Sequence, residues 1–161
     1  MADPSPLAGT VEIAAPPDSV WDVVADVTRM PDFSPELRRL WVVGRRRGPG
    51  ASLQGATLLG VNRRGLAVWP TTSRVVRWVP GRAVAWKTRE SGATWSYELE
   101  PTPAGTRLAA RRELPAFTLG TTLLGPLIGG AAGHDRELAE GLWTTLERIR
   151  EVVEAGAATP A

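Results

Sequence analysis

The stretch from His134 to Glu154 constrains the fold most, because it is the one long segment with helical periodicity. Its apolar residues recur at steps of three or four, which places them on one side of a helix. They are Leu138, Leu142, Leu146, Ile149 and Val153, and Trp143 and Val152 widen the stripe. A helix with a single apolar side is marginal on its own in water. The segment therefore predicts a long C-terminal helix that packs on a surface formed by the rest of the chain.

The preceding residues have the pattern of an antiparallel sheet. Turn residues such as Pro80-Gly81 and Ser91-Gly92 separate stretches that favour strands. The clearest alternation places Trp95, Tyr97 and Leu99 on one face and polar residues on the other, which is typical of a half-buried strand. The predicted strands are 11–14 (with Leu7 leading in), 37–43, 56–62, 66–79, 82–89, 94–100 and 106–114. Between the first two we expect a helix that begins at 16–19 and a short helix or tight turn over 30–36.

Composition bounds the fold and excludes several kinds of chemistry. A chain of 161 residues with 43% hydrophobic residues is typical of one globular domain, which we place at 7–154, with disordered ends at 1–6 and 155–161. The chain has no cysteine, which excludes disulfides, thiolate metal sites and cysteine nucleophiles. The single histidine, His134, excludes a multi-histidine metal site. We predict no metal ion and no cofactor. The N-terminus lacks a signal-peptide pattern, so we expect a cytoplasmic protein.

Several short segments, in this order and spacing, carry a resemblance to known proteins. They are Ala15-Pro16-Pro17-Asp18-Ser19-Val20-Trp21, Phe33-Ser34-Pro35-Glu36, Asn62-Arg63-Arg64-Gly65, Pro80-Gly81-Arg82 with Trp86, Thr94-Trp95-Ser96-Tyr97-Glu98-Leu99, Gly105-Thr106-Arg107 and Thr145-Leu146-Glu147-Arg148-Ile149. With the order of predicted elements, they resemble the bacterial SRPBCC, or polyketide cyclase/dehydrase-like, proteins of the START-like (Bet v-like) helix-grip superfamily. The resemblance implies an α+β fold, in which a curved antiparallel sheet of about seven strands wraps around the long C-terminal helix.

The resemblance also implies a cavity between sheet and helix that holds an apolar small molecule. Seven tryptophans support this prediction, because five of them fall on predicted strands and aromatic side chains suit a ligand pocket. Core packing is the alternative interpretation for each of them. The candidate ligand-binding residues are Trp69, Trp86, Trp95, Tyr97, Leu108, Arg112, Phe117, Leu138, Leu142 and Leu146.

Polar candidates for chemistry are few, and each has a structural alternative. Arg112 lies on an otherwise apolar strand face, where it can bind a ligand carboxylate or phenolate. Alternatively, it can pair with Glu98 or Glu113 or reach solvent at the end of the strand. Asp32 and Glu36 can act as acid and base at the cavity mouth, or cap and solubilise a turn. His134 beside Asp135 can relay protons, or lie exposed at the start of the helix. No spacing indicates a nucleophile or a phosphate cradle, and the catalytic residues, if any, are unknown.

The segment 115–133 is apolar but broken by glycine and proline, so it does not predict a membrane span. We expect the helix to begin before His134, near Leu127, and the rest of the segment to form a mobile flap. Such a flap needs cover from the domain, a ligand or a second subunit, and a homodimer through it is one option. The basic clusters at 45–47 and 63–64 are short and lie at turns, so we expect no nucleic-acid partner and no stable membrane insertion.

Two function classes stay open at this point. The first is binding or carriage of a hydrophobic small molecule of lipid, polyketide or isoprenoid type. The second is a polyketide cyclase or dehydratase in which Arg112, Tyr97 or Asp32 orients the substrate and moves protons. The fold alone does not choose between them.

Overall fold

In the computed structural model, the described residues are 7–44, 50–115 and 131–158. The elements in chain order are β1 (Leu7–Ile13), α1 (Pro17–Ala25), a 3-10 turn (Val27–Arg29), α2 (Met30–Phe33), β2 (Leu37–Val43), β3 (Thr57–Arg64), β4 (Ala67–Val79), β5 (Ala83–Thr88), β6 (Thr94–Thr102), β7 (Gly105–Glu113) and α3 (Ala131–Ala157). The strands form one antiparallel sheet in the order β1-β7-β6-β5-β4-β3-β2, so β1 and β2 are its edges. This architecture confirms the predicted α+β helix-grip fold.

Differences from the sequence prediction concern the ends of elements. Strand β1 begins at Leu7, four residues before the predicted start. Helix α3 ends at Ala157, so residues 155–157 are helical where we expected a disordered tail. Of the segment 115–133, residues 116–130 lie outside the described residues, including the expected helix start near Leu127. Residues 131–133 belong to α3, in agreement with a helix that begins before His134.

The apolar stripe of α3 is buried as predicted. Its five members are at most 9% exposed: Leu138, Leu142, Leu146, Ile149 and Val153. The prediction was wrong for Trp143 and Val152, which are 47% and 39% exposed. At 100° per residue, these two positions lie roughly 80–100° around the helix from the centre of the stripe, on opposite sides of it. They therefore flank the interface and do not enter the core.

One end of the helix is fixed to the domain by specific contacts. Ile149 and Val153 join the core that β1, α1 and α2 build. The backbone N–H of Ala14 donates to a carboxylate oxygen of Glu154 at 2.9 Å. The guanidinium of Arg148 donates to the carbonyl of Phe33 at 3.1 Å, which ties α3 to α2. The C-terminal half of α3 is therefore anchored at the β1 side of the sheet.

The turn into β7 depends on a glycine. Gly105 has φ +145°, a region that residues with a side chain rarely adopt. A Cβ at this position would meet the carbonyl oxygen of Ile13 at 2.2 Å and the backbone of Ala15 at 2.9 Å. Backbone atoms cannot move aside as a flexible side chain can, so β1 and the β6–β7 turn approach each other this closely only with glycine at 105.

We expect Gly105→Ala to lower the free energy of unfolding by about 3 kcal/mol or more, because it combines a disfavoured φ with a backbone clash. Urea unfolding followed by circular dichroism measures the change. Gly156→Ala is the matched control, because among the described residues no atom outside the helix's own backbone and the chain neighbours lies within 4 Å of the new methyl group. Alanine is the better helix former, so the control should change stability by less than about 1 kcal/mol, in the stabilising direction. Equal effects of the two substitutions would contradict this account of the turn.

Candidate ligand-binding cavity

A cavity of about 850 Å³ lies between the concave face of the sheet and the N-terminal half of α3. Its wall is contributed by the loop from α2 into β2, by strands β2 to β7, and by residues 137–145 of α3. Lining residues used below are Glu36, Leu37, Asn62, Arg64, Trp69, Thr71, Ser73, Trp86, Thr88, Trp95, Tyr97, Arg112, Leu138 and Leu142. The anchored half of the helix does not reach this space, since Ile149 and Val153 lie in the core.

Aromatic side chains form one wall of the cavity. Trp86 on β5 and Trp95 on β6 are register partners, so their rings stand side by side on the concave face. The ring of Trp86 also stacks on Tyr97, with 5.6 Å between ring centroids and 27° between planes. The Arg112 guanidinium lies 5.6 Å above the ring of Trp95. The result is a cluster of aromatic rings with a cation beside it, which suits an apolar guest that can stack on a ring.

Hydroxyl and amide groups on β3, β4 and β5 form the opposite, more polar side. The hydroxyls of Ser73 and Thr88 share a hydrogen bond of 2.9 Å, and both residues are buried. The side-chain amide of Asn62 donates to the hydroxyl of Thr71 at 3.1 Å. These groups are short and mutually hydrogen-bonded, so they line the cavity without filling it.

Tyr97 is the most deeply buried aromatic residue of the lining, at 4% exposure. Burial raises the pKa of its phenol well above the usual value, because a phenolate would lose its hydration. A phenol is already protonated at neutral pH, and the upward shift of its pKa extends this state further into alkaline pH, so the hydroxyl can donate a hydrogen bond.

An ion pair links the hairpin of β3 and β4 to α3 at the rim of the cavity. The Arg64 guanidinium donates from Nε and Nη2 to the Glu137 carboxylate, with 2.7 Å between Nη2 and the carboxylate. The hydrogen bond from Arg64 to Glu137 raises the pKa of the guanidinium further above its usual value, and Glu36 adds to the effect. The predicted basic cluster at 63–64 thus contributes at least one of its charges to the rim of the cavity.

The structure brings seven of the ten predicted ligand-binding residues to the cavity wall: Trp69, Trp86, Trp95, Tyr97, Arg112, Leu138 and Leu142. Leu108 and Leu146 are instead fully buried in the core. Phe117 lies outside the described residues. Ligand binding by any of them stays a prediction.

The remaining tryptophans of the strands have other roles. Trp78 packs edge-on against Trp21, with 5.2 Å between ring centroids, beside the core. Trp41 is 48% exposed. Core packing and cavity lining therefore both occur, and the alternation pattern alone does not separate them.

The polar candidates are also divided by the structure. Asp32 is exposed on α2 and is not part of the cavity wall, whereas Glu36 lines it. Glu98 pairs with Arg77 at 2.6 Å and is not the partner proposed for Arg112. His134 lies within α3, not before it, and its side chain is outside the described residues.

Sequence reasoning missed the hydroxyl side of the cavity. Thr88 shares its face with Val84 and Trp86 in the strand alternation, which is the available signal for it. Ser73 is found only through the register, because it is the partner of Thr88 across β4 and β5.

The family model described as "Polyketide cyclase / dehydrase and lipid transport" matches residues 7–154. The chain belongs to this family. No curated protein matches the sequence. Among solved structures, the Zhui aromatase/cyclase from Streptomyces sp. R1128 is 19% identical with a TM-score of 0.71, and 96% of each chain is covered. TTHA0849 from Thermus thermophilus is 18% identical with a TM-score of 0.68, over 96% of this chain and 99% of that one.

A third similar structure is the di-domain ARO/CYC StfQ from the steffimycin biosynthetic pathway, at 17% identity and a TM-score of 0.71. The alignment covers 96% of this chain and 52% of StfQ, so this chain spans about half the length of that protein. At these identities the likeness establishes the fold alone. Within the described ranges, no helix is long and apolar enough to cross a membrane.

We expect the hydroxyl pair at the cavity wall to be energetically coupled. Thr88→Val removes one partner and leaves the buried hydroxyl of Ser73 unpaired, which should cost about 1 kcal/mol of unfolding free energy. Adding Ser73→Ala should recover part of that loss, so the double variant should lose about 1 kcal/mol less than the sum of the single variants. A double-mutant cycle in urea measures the coupling. Additive losses would show that the 2.9 Å contact contributes nothing to stability.

Proposed function

We propose that the protein binds, without transforming it, a hydrophobic small molecule of lipid, polyketide or isoprenoid type. The observation that carries the proposal is the cavity of about 850 Å³ with an aromatic wall. Ligand pockets of drug-sized molecules are typically about 300–1,000 Å³ and mostly apolar, so the volume and the lining fit such a guest. Enclosure between a sheet and a helix removes apolar ligand surface from water, which supplies the main driving force for binding.

Two of the carboxylates around the cavity are hydrogen-bonded to other groups of the protein, which favours binding over catalysis. Glu137 is engaged by Arg64, and the carboxylate of Glu90 accepts from the backbone N–H of Thr72 at 2.9 Å. A general base for carbon chemistry needs a carboxylate or imidazole within hydrogen-bond reach of the substrate. Of the acid and base pair that the sequence suggested, Asp32 does not fit this role because it is not part of the wall, whereas Glu36 lines it.

The second candidate function is a polyketide cyclase or dehydratase. The description of the family and the presence of Arg112 and Tyr97 in the cavity wall favour it. In such an enzyme, Arg112 would stabilise a developing enolate oxygen and Tyr97 would donate a proton or hydrogen bond to a second carbonyl. Both roles need the substrate's ketones to lie against the aromatic wall.

We expect a cavity-filling substitution to abolish ligand binding. Leu138→Trp places an indole at the cavity wall, where it competes with the guest for space. The affinity for an apolar fluorescent probe such as 1-anilinonaphthalene-8-sulfonate should fall at least about tenfold, equivalent to 1.4 kcal/mol. Leu66→Trp is the matched control, because Leu66 is 97% exposed on the β3–β4 hairpin and should leave the affinity unchanged. Equal affinities of the two variants would place the probe elsewhere on the molecule.

A turnover assay separates the two candidate functions. Incubated with a linear poly-β-ketone thioester, the wild-type protein should yield no more cyclised product than buffer alone. Product formed above that background, and reduced at least about tenfold in Arg112→Gln, would replace the binding proposal with the cyclase. Arg111→Gln is the control, because the neighbouring Arg111 is exposed on the same strand and does not line the cavity.

A further inference from the structure

We infer that the Tyr97 hydroxyl selects ligands that present a hydrogen-bond acceptor, such as a ring carbonyl, to it inside the cavity. The inference rests on the proposed function and deepens it, because it says which of the hydrophobic ligand classes the cavity should bind more tightly. A planar ring system with a carbonyl oxygen would be favoured over a plain hydrocarbon of the same shape.

The surroundings of Tyr97 leave its hydroxyl dependent on the cavity. Its register neighbours on β5 and β7 are Val84 and Ala110, both fully buried and apolar. Among the described residues, the hydroxyl has no hydrogen-bond partner. In the part of the chain that the structure describes, the one fully buried side-chain nitrogen or oxygen atom without a hydrogen-bond partner is Nε1 of Trp78. The phenolic oxygen of Tyr97 is therefore not fully buried. Since Tyr97 lines the cavity, its hydroxyl faces that space.

The hydroxyl and amide groups of the same cavity that are hydrogen-bonded within the protein differ in this respect. Ser73 and Thr88 satisfy each other, and Asn62 donates to Thr71. On α3, the hydroxyl of Thr145 donates to the carbonyl of Gly141 at 2.7 Å. A ligand that covers these groups leaves their hydrogen bonds in place. A ligand that covers Tyr97 leaves the phenol without a hydrogen-bond partner, unless the ligand itself carries an acceptor.

The thermodynamic consequence follows from the exchange of water for ligand. In the empty cavity a water molecule can accept a hydrogen bond from the phenol, and a guest that occupies the space beside Tyr97 displaces that water. A hydrocarbon guest then leaves a buried donor unpaired, which weakens its binding. A carbonyl oxygen replaces the water and keeps the hydrogen bond. The phenol is protonated at neutral pH, so Tyr97 can donate a hydrogen bond to an acceptor on the guest.

The aromatic wall restricts the shape of the guest. Trp86 stacks on Tyr97 with 27° between the ring planes, and Trp95 is the register partner of Trp86, so three aromatic side chains stand next to one another in this wall. A planar polycycle can lie against this surface with its edge toward the phenol, whereas an acyl chain offers less contact area. The class we assign is therefore a planar, ring-borne ketone or quinone.

Two probes of nearly identical shape test the inference. Fluorene and 9-fluorenone differ by one carbonyl oxygen, and quenching of tryptophan fluorescence reports the affinity of each. The wild-type protein should bind 9-fluorenone about tenfold more tightly than fluorene, the ratio that one neutral hydrogen bond supplies. Tyr97→Phe keeps the ring and removes the hydroxyl, so it should abolish the ratio by weakening 9-fluorenone alone. The double variant Ser73→Ala/Thr88→Val removes two hydroxyls of the same cavity that are partners of each other, so it leaves no unpaired hydroxyl and should keep the ratio.

The melting temperature of the empty variants identifies folding defects. Tyr97→Phe should melt at or above the wild-type temperature, because it removes a buried donor without a protein partner among the described residues. Equal affinities of the two probes for the wild type, or a ratio that survives Tyr97→Phe, would overturn the inference and leave the proposed function intact. Failure of both probes to bind the wild type would overturn both.

Discussion

The packing of the C-terminal half of α3 against β1 and the two short helices is the interaction on which the rest depends. Ile149 and Val153 enter a core with Ile13 and Val20, and Arg148 and Glu154 add hydrogen bonds to the backbone of α2 and the end of β1. Each buried aliphatic side chain contributes roughly 1.5–3 kcal/mol of transfer free energy, so this end of the helix is firmly held. The N-terminal half then extends over the sheet from a fixed base, and its rim contact is the ion pair between Glu137 and Arg64.

A cavity remains beneath that half because the strands opposite it carry short side chains. Ser73 and Thr88 face each other across β4 and β5, and Gly60 and Thr71 face each other across β3 and β4. Side chains of leucine or phenylalanine size at these positions would bring the interior toward the density of an ordinary core. The aromatic residues of β5 and β6 occupy the other side of the concave face, so the space is bounded by flat rings and by small hydroxyl groups. Cavity and core are thus two parts of one concave face: large side chains fill the core, and short side chains leave the cavity open.

Much of this arrangement can be predicted from the sequence, and the features that cannot be predicted have physical causes. The apolar stripe of α3 and the alternation of Trp95, Tyr97 and Leu99 predict buried faces correctly, because burial follows the period of each element. The same patterns do not tell core from cavity, since both lie on the buried face. Leu108 and Leu146 are therefore in the core although they share faces with cavity residues. The hydroxyl side of the cavity depends on strand register, which a single sequence does not specify.

The central claim is that the concave face of the sheet and α3 enclose a hollow that accepts an apolar guest. A crystal structure of the protein determined under xenon pressure tests it most directly, because xenon enters dry apolar cavities without requiring polar contacts. We predict xenon density between the aromatic wall and α3, within contact distance of Trp86, Trp95 and Leu142. A structure in which side chains fill that space, or in which xenon binds elsewhere and leaves it vacant, would contradict the account.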